Sequence, residues 1–335
     1  MTFRMHMRDP YFAPLGELHV GAGAHFGPLS VFPVWTSAAG ARKFVTATVS
    51  DVFVAELPEP SVSEVFVSHK QAVDMLLPEG MLLVGGWQTR AVVRDVIVAP
   101  GEPMVVAVRC VERGRWGGGQ YHGVDGIAPM SVRAALRKPD ADQGIVWDRV
   151  TRLEGTFGPR ATSSLHDLMA ESIGGPLREP SAAAQRPVVA QAAPGIDAID
   201  TFLLDEVRDY ARHPLPGQRG VVIGIAGEAL CLELYGSVAA LKAELPTLLT
   251  ASLIDAWSAS NRLTRTPGWR ARQLAARCQE MRWLNRESTA EGSATTEHCV
   301  AWEGPLELRA TRRPGSPSVL HASLLNTQHE LALAL

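Results

Sequence analysis

What this sequence lacks narrows the field first. No stretch of its 335 residues approaches the run of about 18 consecutive apolar positions that a membrane-crossing helix needs. The start, Met1 to Pro10, has no continuous apolar core of the secretory kind. A cytoplasmic location is therefore expected. Cysteine is scarce: Cys110, Cys231, Cys278 and Cys299 lie far apart and form no CxxC pair. Reduced thiols are expected, with no disulfide framework and no metal site. The histidines form no HExxH or HxH pair. No GxxxxGKS/T or GxSxG segment occurs, which removes Walker-type phosphate loops and the nucleophile elbow. Positive charge is not in excess: Lys plus Arg is 32 against 35 for Asp plus Glu, net -3. A chain built to coat nucleic acid is usually basic, so that role is disfavoured.

What is present is an ordinary globular balance, 46% hydrophobic and 20% charged. At roughly 150 residues per domain, the length suits two domains or one large one. The first 150 residues read as strands. Phe44 to Val54, Val62 to Ser68, Met81 to Val84, Ala91 to Val98 and Pro103 to Val111 are short and Val-rich, with turn residues between them. Such a series indicates an antiparallel sandwich or barrel. Gly21 to Gly27 has the spacing GxGxxxG, not GxGxxG, and no helix pattern follows it, so bent strands and turns are expected there.

The Pro- and Ala-rich stretch 174–195 reads as a linker or long loop. Beyond it, Ile196 to Tyr210 has the spacing of an amphipathic helix. Gly220 to Ala226 and Ala229 to Tyr235 form a hairpin around Gly227-Glu228, and Leu241 to Trp257 a longer helix containing Pro246. A further helix follows over Ala271 to Met281, and two strands, Val300 to Arg309 and Val319 to Leu325, close the chain. We therefore expect an α+β protein. Its β-rich half, 12–173, is β-sandwich-like. Its mixed helix/strand half, 196–330, packs on the first as one unit.

Arginine is concentrated from Arg262 to Arg286, with Glu280 the one acid in that stretch. These arginines scatter around a helical wheel, so a solvated helix with ion pairs is favoured over a nucleic-acid stripe. Trp257, Trp269, Trp283 and Trp302 gather in the same third, where core packing is the ordinary explanation.

The densest polar signature is Gly85-Gly86-Trp87-Gln88-Thr89-Arg90 with Cys110-Val111-Glu112-Arg113-Gly114-Arg115-Trp116. On a strand, Gln88 and Arg90 share one face. Arg90 and Arg115 offer forks for phosphate or carboxylate. Glu112 accepts from ribose hydroxyls, or acts as a general base if burial raises its pKa. Cys110 is a nucleophile only if a cation lowers its pKa. A buried network that fixes a turn is the equal alternative.

These residues resemble the signature of the ARG-and-rhodanese-phosphatase-associated protein domain family, a bacterial family of unknown activity. Leu29 to Val34, Gln143 to Trp147, Ala161 to Ser163 and Gly220 to Ile225 are similar to further family segments in the same order. Thr89 stands where that family usually has Asn, and Met81 and Leu82 where acids are frequent. The resemblance implies a role in NAD or ADP-ribose metabolism. It makes Glu112 the catalytic candidate, with Gln88, Arg90, Arg115 and Trp116 as ligand-binding candidates for an ADP-ribose or NAD-type molecule that is bound or hydrolysed. No resident cofactor is expected. The alternative is a non-catalytic scaffold that binds a protein partner or homodimerises.

Overall fold

A computed structural model describes residues 15–138, 142–158, 164–174, 177, 199–282, 285–291 and 294–333. Strands come first: β1 (Leu18–Val20), β2 (Ala24–Phe26), β3 (Leu29–Thr36), β4 (Val45–Thr46), β5 (Val52–Ala55), β6 (Glu64–His69), β7 (Met75–Leu77), β8 (Met81–Gly85), β9 (Arg90–Val92), β10 (Val96–Val98), β11 (Met104–Cys110) and β12 (Tyr121–Ile127). Helices α1 (Met130–Leu136), α2 (Gln143–Thr156), α3 (Leu165–Ser172) and α4 (Thr201–Arg212) follow. The rest is β13 (Gly220–Ile225), β14 (Glu228–Tyr235), α5 (Val238–Ser258), α6 (Gly268–Glu280), β15 (Asn285–Glu291), β16 (Ala294–Glu303), β17 (Leu306–Arg312) and β18 (Val319–Asn326). The chain is α+β.

The strands expected to stack as a sandwich instead close into a barrel of order β11-β6-β5-β12-β8-β9. Alternation along each strand sends Val54, Val65, Val67, Leu83, Val92, Val106 and Val108 to a common core. Closure leaves no exposed edge on these short strands. A three-stranded sheet, β10-β7-β4, stands beside it. The segment Ala91 to Val98 is therefore two strands in two different sheets.

The larger sheet runs β1-β3-β13-β14-β18-β17-β16-β15, with β2 also on β3. The first strands of the chain thus pair with its last third, β3 against β13 from Val34↔Gly220 to Leu29↔Ile225. The β13–β14 turn falls at Ala226-Gly227, both at positive φ, one residue earlier than expected. The single strand expected over Val300 to Arg309 is two, β16 and β17, divided at Gly304-Pro305. Helix α6 covers one face of this sheet through Ala271, Leu274, Ala275 and Cys278, which pack on Phe32, Leu232 and Leu324. Helix α5 belongs to the other core, where Leu241, Leu245 and Leu249 join Val31, Val221 and Ile223. Pro246 lies inside α5, past its first turn. Trp269 and Trp302 are half-exposed and not core residues.

Helices α1 to α3 occupy a region that sequence patterning assigned to strands or left unread. Every residue of α1 is buried, so it has no polar face to give a helical period. Most of the stretch 174–195, and Ala161 to Ser163, lie outside the described residues.

One buried ionic network joins the barrel side to the large sheet. Arg133 of α1 donates to Glu233 of β14 at 2.8 Å and to Glu79 at 3.3 Å. Arg137 donates to Glu79 at 2.8 Å. His321 of β18 lies between Asp95 and Glu233, 2.8 Å from each, and stacks on Tyr235. Gly80, at φ +83°, lets Arg133 pass: a Cβ there would lie 2.7 Å from the Arg133 side chain. Burial works against a charged His321, but the two carboxylates overcome it and raise its pKa to about 10. Arg309 also lies 3.5 Å from Glu79 and pairs with Glu307, so four cations then balance four carboxylates, Glu79, Asp95, Glu233 and Glu307.

The folded pKa of His321 lies above its unfolded value of about 6.5. Its contribution is complete below that value and is lost as pH rises through about 10. Urea unfolding at pH 6.5, 8 and 10 should show stability falling across this window. His321→Ala should cost about 3–5 kcal/mol at pH 7, because two buried carboxylates lose their shared cation, and should flatten the alkaline fall.

Candidate functional site

The signature segments meet at one end of the barrel. Residues 86–89 are the turn between β8 and β9, so Gln88 and Arg90 do not share a strand face. Arg90 pairs with Cys110 across β9 and β11. It points inward with Val92 and is fully buried. Its Nη2 donates to both carboxylate oxygens of Glu56, 3.0 Å from each. It also donates to the Ser61 and Glu64 carbonyls. Glu56 in turn accepts from the Trp87 amide at 2.9 Å and lies 3.1 Å from His122 Nε2. Burial pushes the His122 pKa down against the pull of Glu56. Arg90, Glu56 and His122 therefore plug the barrel end.

Arg115 and Glu112 form a second pair just outside. Arg115 donates to the two Glu112 oxygens at 2.6 and 2.7 Å, and to the Gly86 carbonyl at 2.9 Å. The Thr89 amide donates to Glu112 at 2.8 Å. Burial alone would raise the Glu112 carboxyl, but Arg115 and Thr89 outweigh it and hold the pKa below the ordinary value. A general base needs the opposite shift, toward neutrality. Gln88 Nε2 reaches the Glu112 carbonyl at 3.4 Å, while its buried Oε1 has no partner among the described residues. Burial also pushes the Cys110 thiol up, and its Sγ lies 2.7 Å from the Glu112 carbonyl. This thiol is not poised as a nucleophile.

Gln88, Glu112 and Arg115 are thus brought into contact, with Arg90 buried in the barrel end and the Arg115 side chain partly exposed. The aromatic groups beside them turn outward. Trp116 is 49% exposed and packs edge-on against Trp87 at 5.2 Å. Phe53 of β5 and Tyr121 of β12, 53% and 62% exposed, pack together at 5.4 Å on the adjoining barrel wall. The Tyr121 carbonyl accepts from the Gly86 amide at 2.9 Å, which ties that wall to the signature turn.

Several participants were missed in the sequence. Glu56 and His122 lie far from the signature, and only their Val-rich strand neighbours mark them. On α3, His166 lies 2.8 Å from Asp125 and 3.3 Å from Asp167. Burial would lower its pKa, but these carboxylates raise it to about 9. The Leu165 amide donates to the Val111 carbonyl at 2.9 Å, so α3 is fastened to the signature. Among the described residues no group of three His, Cys, Asp or Glu is arranged to hold a metal ion.

The model of the ARG and Rhodanese-Phosphatase-superfamily-associated Protein domain matches residues 17–191 and 199–323. The chain belongs to this family. Neither a curated protein nor a solved structure matches it. Its family-like segments are spatial neighbours. Gln143 of α2 accepts from the Cys110 amide at 3.0 Å and donates to the Cys110 carbonyl at 2.6 Å. Arg113 lies over the Trp147 ring. Leu29 to Val34 is β3, paired with Gly220 to Ile225 as β13.

Arg90→Met should cost about 3–5 kcal/mol in chemical denaturation, since Glu56 would stay buried without its cation. A loss below about 1 kcal/mol would instead free Arg90 for a ligand. Gly86, at φ +55°, would place a Cβ 2.2 Å from the His122 ring, whereas Gly101, at φ +76°, has open space around it. Gly101→Ala should cost about 1 kcal/mol. Gly86→Ala should cost clearly more, because His122 must also leave Glu56.

Proposed function

We propose that this protein is a non-catalytic interaction module whose barrel end holds a protein partner or a second copy of the chain. One observation carries this reading: Arg90, Glu112 and Arg115 have internal partners, while Trp116, Phe53 and Tyr121 lie exposed beside them, with the half-buried Trp87 packed on Trp116. Rigid aromatic side chains give large contact area at low entropic cost, and they dominate interface energetics. The ionic plug beneath them fixes their presentation. A cytoplasmic setting belongs to this proposal and is supported by four buried cysteines held as thiols. No helix among the described residues is long and apolar enough to cross a membrane.

A second reading is an ADP-ribose or NAD-type ligand at the same end. The side chain of Arg115 keeps 38% of its surface exposed next to Trp116, which pairs a phosphate fork with a stacking face. Glu112 then binds ribose or orients Arg115.

Photo-crosslinking from position 53 in the producing cells, together with sedimentation of the purified chain, tests the first reading. A discrete adduct, or a dimer, that disappears in Trp116→Ala with unchanged melting temperature is expected. A monomer without adducts overturns it. Thermal shift with ADP-ribose and NAD tests the second. Ligand at a hundredfold excess over Kd should add about 2.7 kcal/mol of apparent stability, lost in Trp116→Ala. No shift removes that reading.

A further inference from the structure

The arginine-rich segment lines a cleft of about 500 Å³ in which Arg270, Gln273, Leu274 and Arg277 of α6 form one wall. Their spacing of three, four and seven residues puts them on one helix face. Opposite lie the β13–β14 turn at Glu228 and the end of β18 at Asn326. A smaller cavity of about 180 Å³, lined by Arg149 and Arg152 of α2, shares Ser260 and Glu330 with it. The cleft sets Arg270 and Arg277 against Glu228 and Glu330, while Arg149 of the smaller cavity is buried and donates to the Leu331 and Ala332 carbonyls. The larger lobe lies within the size range of small-molecule sites.

The two wall arginines are only loosely committed. Arg270 pairs with Glu228, and both side chains are partly exposed. Arg277 donates to the Glu303 carbonyl at 3.2 Å and lies 3.5 Å from its carboxylate. Partly exposed pairs of this kind contribute little, so a stronger anion displaces them. The fork geometry of guanidinium matches phosphate. Seven residues at 1.5 Å each set the two arginines about 10 Å apart along α6. That separation suits two anionic ends and exceeds the reach of one phosphate.

We propose that this cleft binds a small organic molecule carrying a phosphate at each end, with Arg270 and Arg277 each holding one. The site is independent of the barrel end. Gln273 and Asn326 face the stretch between the two phosphates, where hydroxyls of a sugar-like backbone find amide partners.

The test is calorimetric titration of the full chain at low salt, with fructose 1,6-bisphosphate and fructose 6-phosphate as probes. Saturable binding of the bisphosphate is expected, about tenfold or more tighter than the monophosphate. Arg270→Gln and Arg277→Gln should each weaken it at least about tenfold. Glu228→Gln should tighten it, because the competing carboxylate is gone. Trp116→Ala should leave it unchanged. These positions are partly exposed, so each variant should keep the parent melting temperature. No saturable binding up to about 10 mM overturns the proposal. So does equal affinity for the two probes, or unchanged affinity in the double arginine variant.

Discussion

The fold depends on one cation held between two buried carboxylates. His321 lies between Asp95, from the strand-rich side, and Glu233, from the large sheet. Removing such charges from water costs several kcal/mol per ion, even after relaxation. That cost is offset only when all partners are in place. Glu233 also takes Arg133, and Glu79 takes both Arg133 and Arg137, so α1 is the rod on which the two sides meet. Docking is therefore cooperative: a barrel without the sheet would leave Asp95 without His321 and Arg133 without Glu233. An apolar seam of equal volume would be at least as stable, but it would tolerate sliding. Paired charges fix one register between α1, β14 and β18.

The barrel end repeats this logic on a smaller scale. Arg90 is spent on Glu56 and two carbonyls, and Arg115 on Glu112 and the Gly86 carbonyl. The same segment holds its indoles outward. A signature that looks catalytic as a string is, in space, a rigid mount. Its Arg and Glu set the turn, its glycines admit the close approach, and Trp116 is left to meet something else. Gln143 completes the mount by clamping both main-chain groups of Cys110. The separate family-like segments are adjacent for that reason.

Much of the fold was legible because burial imposes a period. Val62 to Ser68 alternates and is β6, and the apolar spacing over Leu241 to Trp257 and Ala271 to Met281 is α5 and α6. Where burial has no period the sequence falls silent. Helix α1 is buried all round, and Ala91 to Val98 reads as one Val- and Ile-rich run although Arg94 and Asp95 divide it between two sheets. Composition left sandwich and barrel both open, since closure depends on which strands meet. At the site, the two signature segments are adjacent in space, with β9 paired to β11. Their orientation was not legible, because it is set by Glu56 and His122, which enter from strands remote in sequence.

Electrostatics separates the two outward-facing regions more firmly than distance does. At the barrel end Arg90, Glu112 and Arg115 each have an internal partner of opposite sign and Arg113 lies over the Trp147 ring, so recognition falls to aromatic area. Along α6 the pairs of Arg270 with Glu228 and of Arg277 with Glu303 are partly exposed. A ligand can replace those pairs without unburying anything. The buried network between them is balanced only with His321 protonated, so it carries structure and leaves no net charge for either surface to use. Substitutions in the two regions share no partner and should add independently. That independence lets the interaction reading and the phosphate cleft be judged apart on the same protein.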